Sequence, residues 1–304
     1  MSVYISKEER FRLPEWIIRV TAGSGGEAFL IDGGGQAVLY DTGMAFCHAG
    51  LIRNIESALT GLGYEAPSGV FLSHTHYDHI GALPYVLERW PDLTVYGAAK
   101  AAAVFASTGA LATMKRLGRI ARDLYGTPEE RQGEIRTSGF RLDHALVDGE
   151  EIPIGTRRIR AVFTPGHTDC SMSYLLLPER TLFLSESLGV PTATGGIEPA
   201  MLKSLDQCLA SAEKCRELQA EDLVFLHFGR LPKEQQSTYF DRFRAACLAE
   251  RDMVLAAYRE GCSREEILRR FTEMYWNEKR GRHQPLEAFQ ANAVPIIEQL
   301  IRNA

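Results

Sequence analysis

The six residues His74-Thr-His76-Tyr-Asp78-His79, placed directly after the apolar run Val70-Phe71-Leu72 and Ser73, constrain this chain more than any other feature. Four of the six carry side chains that bind metals. Where a strand runs into a tight loop, alternate residues share a face, so His74, His76 and Asp78 can be aimed to one side of the backbone. Imidazole and carboxylate are ligand types that suit zinc, iron and manganese. The whole chain has eight histidines, and three of them within six residues argue against an ordinary solvated loop.

Further ligand types stand where a metal site would need them. His167 lies in Thr164-Pro-Gly-His167-Thr-Asp, after a strand signal over Arg157–Phe163. Glu186 ends Phe183-Leu-Ser-Glu186, and His227 follows the apolar Leu223–Leu226. These groups fall at the C-terminal ends of strands, the edge where layered α/β structures bind ligands. Asp41, after Val38-Leu-Tyr40, lies at an analogous edge and suits the orientation of a ligand histidine. His48 and His144 lack neighbours at metal spacing, and His283 sits in the basic run Lys279-Arg-Gly-Arg-His283, so all three read as surface or packing residues. Cys170, three residues beyond His167, reads as loop packing, and Tyr77 as able to face either cleft or core.

Around these motifs the chain alternates strands and helices, which indicates an α/β layered architecture. Strands are expected at 16–20, 28–31, 37–40, 70–72, 93–96, 157–163, 172–177, 181–184 and 223–226. A helix is expected over 47–61, its Leu51, Ile55 and Leu59 spaced by four, ending at Gly61 or Gly63. Others are expected over 80–87 and 201–218. Residues 98–135 read as helical throughout, with Thr127-Pro-Glu-Glu130 as a capping box and Lys115, Arg116, Arg119 and Arg122 on one face. That basic face is either simply solvated or a lid attracting anions. From about 233 the chain reads as wholly helical, with a stop at Gly261, a second capping box at Ser263-Arg-Glu-Glu266 and a last helix over 286–302.

Composition sets outer bounds. The 304 residues allow one large domain or two modest ones, and the formal charge of −5 gives no global field favouring nucleic acid or an anionic membrane. No stretch approaches the roughly 18 apolar residues of a membrane helix. The charged start, Lys7-Glu-Glu-Arg10, does not read as a secretory signal. A cytoplasmic protein whose six cysteines stay thiols is expected.

Taken in order, His74-x-His76-x-Asp78-His79, His167, the acidic residue at 186 and His227 resemble the metallo-β-lactamase superfamily, as does Val38-Leu-Tyr-Asp41-Thr-Gly43. The resemblance covers about 14–230. It implies an αββα sandwich, here with a helical insert at about 98–135 in a metal-binding domain of residues 1–230. Residues 231–304 then form a helical C-terminal extension covering the active-site cleft. It also implies two divalent metal ions, zinc foremost with iron or manganese as alternatives. His74, His76 and His167 would hold the first, Asp78, His79 and His227 the second, and Glu186 would bridge them. The family usually has aspartate in a Gly-Asp pair at that bridge, whereas this chain has Ser185-Glu186, one methylene longer. Insert and tail together resemble the thioesterase-like quinolone-signal response protein branch, while the short tail is unlike the flavodoxin domain of flavodiiron proteins.

What the resemblance implies chemically is metal-dependent hydrolysis. A bound metal lowers the pKa of water to about 7 and supplies hydroxide at neutral pH, with Asp78 as the catalytic group orienting that water. A small-molecule ester, thioester or lactone is the expected substrate, ahead of a phosphodiester. Iron-dependent redox chemistry, or a regulatory binding protein that keeps the metal site, are the alternatives. Nucleic acid and membrane are not expected partners; the oligomeric state stays open, with a homodimer through the apolar faces of the tail as one possibility.

Overall fold

Successive residues of a strand point to opposite faces, so a strand apolar throughout needs cover on both. Phe29-Leu30-Ile31 and Val38-Leu39-Tyr40 are of that kind, and a computed structural model describing residues 4–303 shows what covers each face. Phe29, Ile31, Val38 and Tyr40 look into a core shared by two sheets. Leu30 and Leu39 look outward to helices.

The first sheet runs β1 (Ile17–Arg19), β2 (Phe29–Asp32), β3 (Ala37–Tyr40), β4 (Gly69–Phe71), β5 (Thr94–Ala98) and β6 (His144–Leu146), in that spatial order. Its first three strands pair antiparallel and its last four parallel. The chain then forms β7 (Glu151–Ile154), β8 (Arg157–Phe163), β9 (Met172–Leu177) and β10 (Thr181–Leu184). A two-stranded hairpin, β11 (Val190–Pro191) and β12 (Ile197–Glu198), precedes β13 (Asp222–Phe225) and β14 (Gly229–Arg230). The second sheet is ordered β14-β13-β10-β9-β8-β7. Between the sheets Tyr40 meets Phe183 at 5.0 Å and Tyr174 at 5.7 Å between ring centroids. Each such buried ring contributes roughly 1.5–3 kcal/mol over leaving it exposed.

After the short α1 (Lys7–Arg10), α2 (His48–Leu62) buries Leu51, Ile55 and Leu59 on the first sheet and stops at Gly63, whose φ of 76° a side chain would resist. The expected single helix over 80–87 is instead two, α3 (Tyr77–Ile80) and α4 (Leu83–Arg89), broken where the backbone of Gly81 packs on the Tyr77 carbonyl. Residues 98–135 are not helical throughout. β5 reaches Ala98, α5 (Lys100–Phe105) and α6 (Thr108–Tyr125) follow, and Ser107 caps the second of them. Thr127 and Glu130 do form the reciprocal capping bonds, at 2.8 and 3.3 Å, but they support only the 3-10 turn Glu130–Gln132. Beyond it the Tyr85 hydroxyl donates to the Glu134 carbonyl and accepts from the Arg136 amide, holding that backbone extended against α4. On the basic face Lys115 pairs with Glu134, Arg116 with Glu287 and Arg122 with Asp123.

Against the outer face of the second sheet lie α7 (Leu205–Glu217) and, from the tail, α9 (Tyr239–Arg259), α10 (Arg264–Tyr275) and α12 (Leu286–Arg302), with short turns α8 (Lys233–Gln236) and α11 (Glu278–Gly281) between them. α7 begins at Leu205 rather than 201 because Ser204 is its cap. The layers are therefore helix, sheet, sheet, helix. Insert and tail also meet: the Tyr125 hydroxyl donates to the Gly281 carbonyl at 2.8 Å, alongside the Arg116–Glu287 pair. Among the described residues no helix is long and apolar enough to cross a membrane.

Candidate metal centre

Five strands end along one edge of the sandwich, and each delivers a polar residue there. Asp41 follows β3, Ser73 to His79 follow β4, and His167, Glu186 and His227 follow β8, β10 and β13. The two sheets are tied together at this edge. The Tyr174 hydroxyl donates to the Leu72 carbonyl at 2.7 Å, the Met172 amide to Ser73 at 2.8 Å and the Glu27 amide to Leu226 at 2.5 Å. The site is thus pinned by backbone from both layers.

The expected ligands gather into two adjoining groups. His74, His76, His167 and Glu186 form one and Asp78, His79 and His227 the other, each with ligand atoms within 4.8 Å of one another. Glu186 faces both. Its Oε1 lies 2.7 Å from Nε2 of His79 and of His227, while its Oε2 lies 3.1 Å from Nε2 of His167. Asp78 Oδ2 is 3.6 Å from His79 Nε2 and 3.5 Å from His227 Nε2.

Outer hydrogen bonds decide which nitrogen each imidazole presents. Asp41 Oδ2 lies 3.2 Å from His79 Nδ1 and accepts from the Ser73 hydroxyl at 2.6 Å; that hydroxyl is in turn 3.0 Å from His74 Nδ1. The Ala200 carbonyl accepts from His167 Nδ1 at 2.7 Å. His74, His79 and His167 therefore turn Nε2 toward the centre, whereas His76 offers Nδ1, 3.1 Å from His167 Nε2. Nε2 of His74 is buried with no hydrogen-bond partner among the described residues. A buried lone pair left so is costly, and a cation among these donors would satisfy it. The residues fit a divalent metal.

Electrostatics point the same way. Burial, with neighbouring imidazoles, holds His74 well below its ordinary pKa, brings His76 down to about 3 and lowers His167. Those rings stay neutral, the form that binds metal. Burial would lower His79 and His227 as well, but carboxylates overcome it: Asp78, Glu186 and Asp41 raise His79, and Glu186 raises His227. Burial likewise pushes Glu186 up, yet His167, His227 and His79 hold it well below the usual carboxylate range. The second group attracts positive charge.

All seven expected ligands are thus brought together, and Asp41 stands behind His79 as its position suggested. Three contributors were missed. The Ala200 carbonyl leaves no signal in a side-chain pattern, and neither does the Ser187 hydroxyl, which accepts from the His167 amide at 2.9 Å. Gly26 packs so closely that a β-carbon would stand 2.5 Å from the His79 ring; the glycine cluster at 22–26 was the available clue. Outside the centre, His48 stacks on Tyr85 at 3.9 Å and His144 pairs with Glu150 at 2.7 Å. Cys170 is buried beside the hydroxyls of Thr75 and Thr168, and Tyr77 is buried in the core under α6.

Comparison with known proteins identifies the family and the fold. The model of the Metallo-beta-lactamase superfamily matches residues 22–227. A hydroxyacylglutathione hydrolase of Xylella fastidiosa (strain M23) is 29% identical over 185 residues, covering 60% of this chain and 53% of that protein. One from Hamiltonella defensa is 24% identical over 273 residues, 86% of this chain and 90% of its own. A beta-lactamase hydrolase-like protein of Xylella fastidiosa (strain Temecula1) matches over 53% of this chain, which spans only 34% of it. Among solved structures, a metallo-beta-lactamase family protein from Thermus thermophilus superposes with a TM-score of 0.66 at 18% identity, covering 96% of this chain and 95% of the other. At such identity the likeness is one of fold.

Proposed function

The chain belongs to the metallo-beta-lactamase superfamily, and from that premise we propose that it is a metal-dependent hydrolase of small-molecule esters or thioesters. The observation that carries this reading is Glu186, whose two oxygens face the two ligand groups at 2.7 and 3.1 Å. Divalent cations held there, two per chain in this reading, would supply Lewis acidity and ionise water near neutral pH. The protein's own part is positioning. Asp41, Ser73 and Ala200 fix the ring orientations, and Asp78, with 18% of its side chain open to solvent, is placed to orient the attacking water and move its proton.

Support for an acyl substrate comes from the hydroxyacylglutathione hydrolases among the relatives. The combination of insert and helical tail supports placement near the quinolone-signal response protein branch. The test is turnover of a panel of acyl thioesters and lactones by metal-loaded protein. Hydrolysis that His76→Ala abolishes is expected; hydrolysis that survives it, or none of any panel member, would discredit the assignment.

A further inference from the structure

The hairpin of β11 and β12 belongs to neither large sheet, and its two-residue strands pair with each other. A two-stranded hairpin on its own is marginally stable at best. Yet the stretch containing it, 186–200, begins with Glu186 and ends with the carbonyl that accepts from His167 Nδ1. Whatever holds this stretch therefore bears on two metal ligands. Helices of the tail grip it at several points. From α9 the Tyr239 hydroxyl donates to the Leu188 carbonyl at 2.8 Å, and the Arg242 guanidinium donates to the Gly195 carbonyl. A β-carbon on Gly189 would stand 2.9 Å from the Phe243 ring, so α9 also packs directly on the backbone there. Gln299 Nε2, from α12, donates to the Met201 carbonyl at 3.4 Å. Outside the tail, the Ile5 amide donates to the Ala193 carbonyl at 2.7 Å.

A charged contact stands two residues before Ala200. Arg280, in α11, reaches the Glu198 carboxylate with Nη1 at 3.0 Å, and only 21% and 32% of these side chains face solvent. The guanidinium is fixed on its other sides as well. Nη1 donates to the Tyr275 carbonyl at 3.1 Å, Nε donates to Gln284 Oε1 at 2.9 Å, and Cζ lies 4.6 Å from the Phe289 ring centroid. A planar fork held in this way loses little freedom on pairing, so it can fix the end of β12 rather than follow it. We propose that the Arg280–Glu198 pair is a positioning device for the metal centre, holding the Ala200 carbonyl where it orients the His167 ring. The His79 ring takes its orientation from Asp41, on the first sheet, and provides an internal reference. The tail is then part of the support of the centre, whatever substrate the centre takes.

The test follows the Nδ1 ring protons of His167 and His79 by proton–nitrogen NMR of the zinc-loaded full chain. Arg280→Met and, from the hairpin side, Glu198→Gln should each speed solvent exchange of the His167 ring proton by about tenfold as the carbonyl loosens, and leave that of His79 unchanged. Arg280→Lys should recover part of the protection, and Arg269→Met, exposed on α10, should keep all of it. Because either change removes the same pair, the double variant should exchange no faster than the single ones. Zinc affinity, read by chelator competition, should fall by about tenfold in the same variants. Unchanged exchange at His167 or unchanged zinc affinity in both single variants would overturn the positioning role. Equal acceleration at His167 and His79 would overturn it too, since general loosening moves both rings. Glu198→Gln keeps the test decisive should Arg280→Met fail to fold. Should wild type bind no zinc, the metal centre fails separately, and the same exchange comparison on the metal-free chain decides for or against the pair.

Discussion

The Asp41 carboxylate stands 3.2 Å from Nδ1 of His79, and both side chains are wholly buried. Asp41 holds this position with φ of 53°, in the left-handed region that aspartate enters more readily than most residues. Its two oxygens also accept from the amide and hydroxyl of Ser73, so one carboxylate orients two ligand rings. Asp41→Asn should therefore lower divalent metal affinity by about 10- to 100-fold, the usual cost of losing such a partner. Competition against a chelating dye measures it, and unchanged affinity would show that the rings orient without Asp41.

Glu186 offers a sharper contrast. Glu186→Gln keeps the shape and removes the charge that faces His79, His167 and His227. It should lose about one metal equivalent per chain, because charge-sharing between two ions about 3.5–4 Å apart needs an ionised bridge. Glu186→Asp keeps the charge but retracts it, and should retain more metal than the glutamine variant. Elemental analysis after gel filtration distinguishes them, and full metal content in Glu186→Gln would exclude a bridging role.

Packing around the centre is equally testable. A β-carbon on Gly26 would lie 2.5 Å from Cε1 and Nδ1 of His79 and 2.9 Å from the Asp78 carbonyl. Gly26→Ala should cost about 1–3 kcal/mol in urea unfolding through overpacking and weaken metal binding with it. Gly61→Ala, with nothing within 4 Å and inside α2, should instead stabilise by about 0.5–1 kcal/mol. Equal effects of the two changes would contradict the close approach.

Away from the centre, burial in α9 pushes the Glu250 carboxyl up to about 8, from an ordinary value of 4.5. The folded state keeps a proton that the unfolded chain releases above that ordinary value. The corresponding stability is fully present below about pH 4.5 and is lost as pH rises through about 8. Glu250→Gln should remove this loss, gaining roughly 2–4 kcal/mol over wild type at pH 9 and little at pH 4.5. Denaturation midpoints at both pH values check it; parallel pH dependences in the two proteins would contradict the buried acid.

How much was legible in the sequence follows from where each signal resides. Strands 157–163, 172–177 and 181–184 and the helix 286–302 match their expected bounds, because apolar runs and periodic stripes record burial directly. The short β6, β7, β11 and β12 escaped notice, since edge and hairpin strands carry too few apolar residues to stand out. The expected helix over 98–135 is interrupted where Ser107 caps α6 and ends at Tyr125, and further on the Tyr85 hydroxyl holds the backbone at Glu134 and Arg136. The metal ligands were readable because their chemistry is rare. Ala200 was not, because any residue has a carbonyl, and only the fold places this one against His167.

The most direct test is metal stoichiometry of the folded protein after reconstitution and removal of excess ion. Seven side chains converging on one strand edge predict two divalent ions per wild-type chain and a marked loss in a His74→Ala/His167→Ala variant that remains folded. A folded wild type that takes up no ion, or a double variant that retains both, would contradict the centre described.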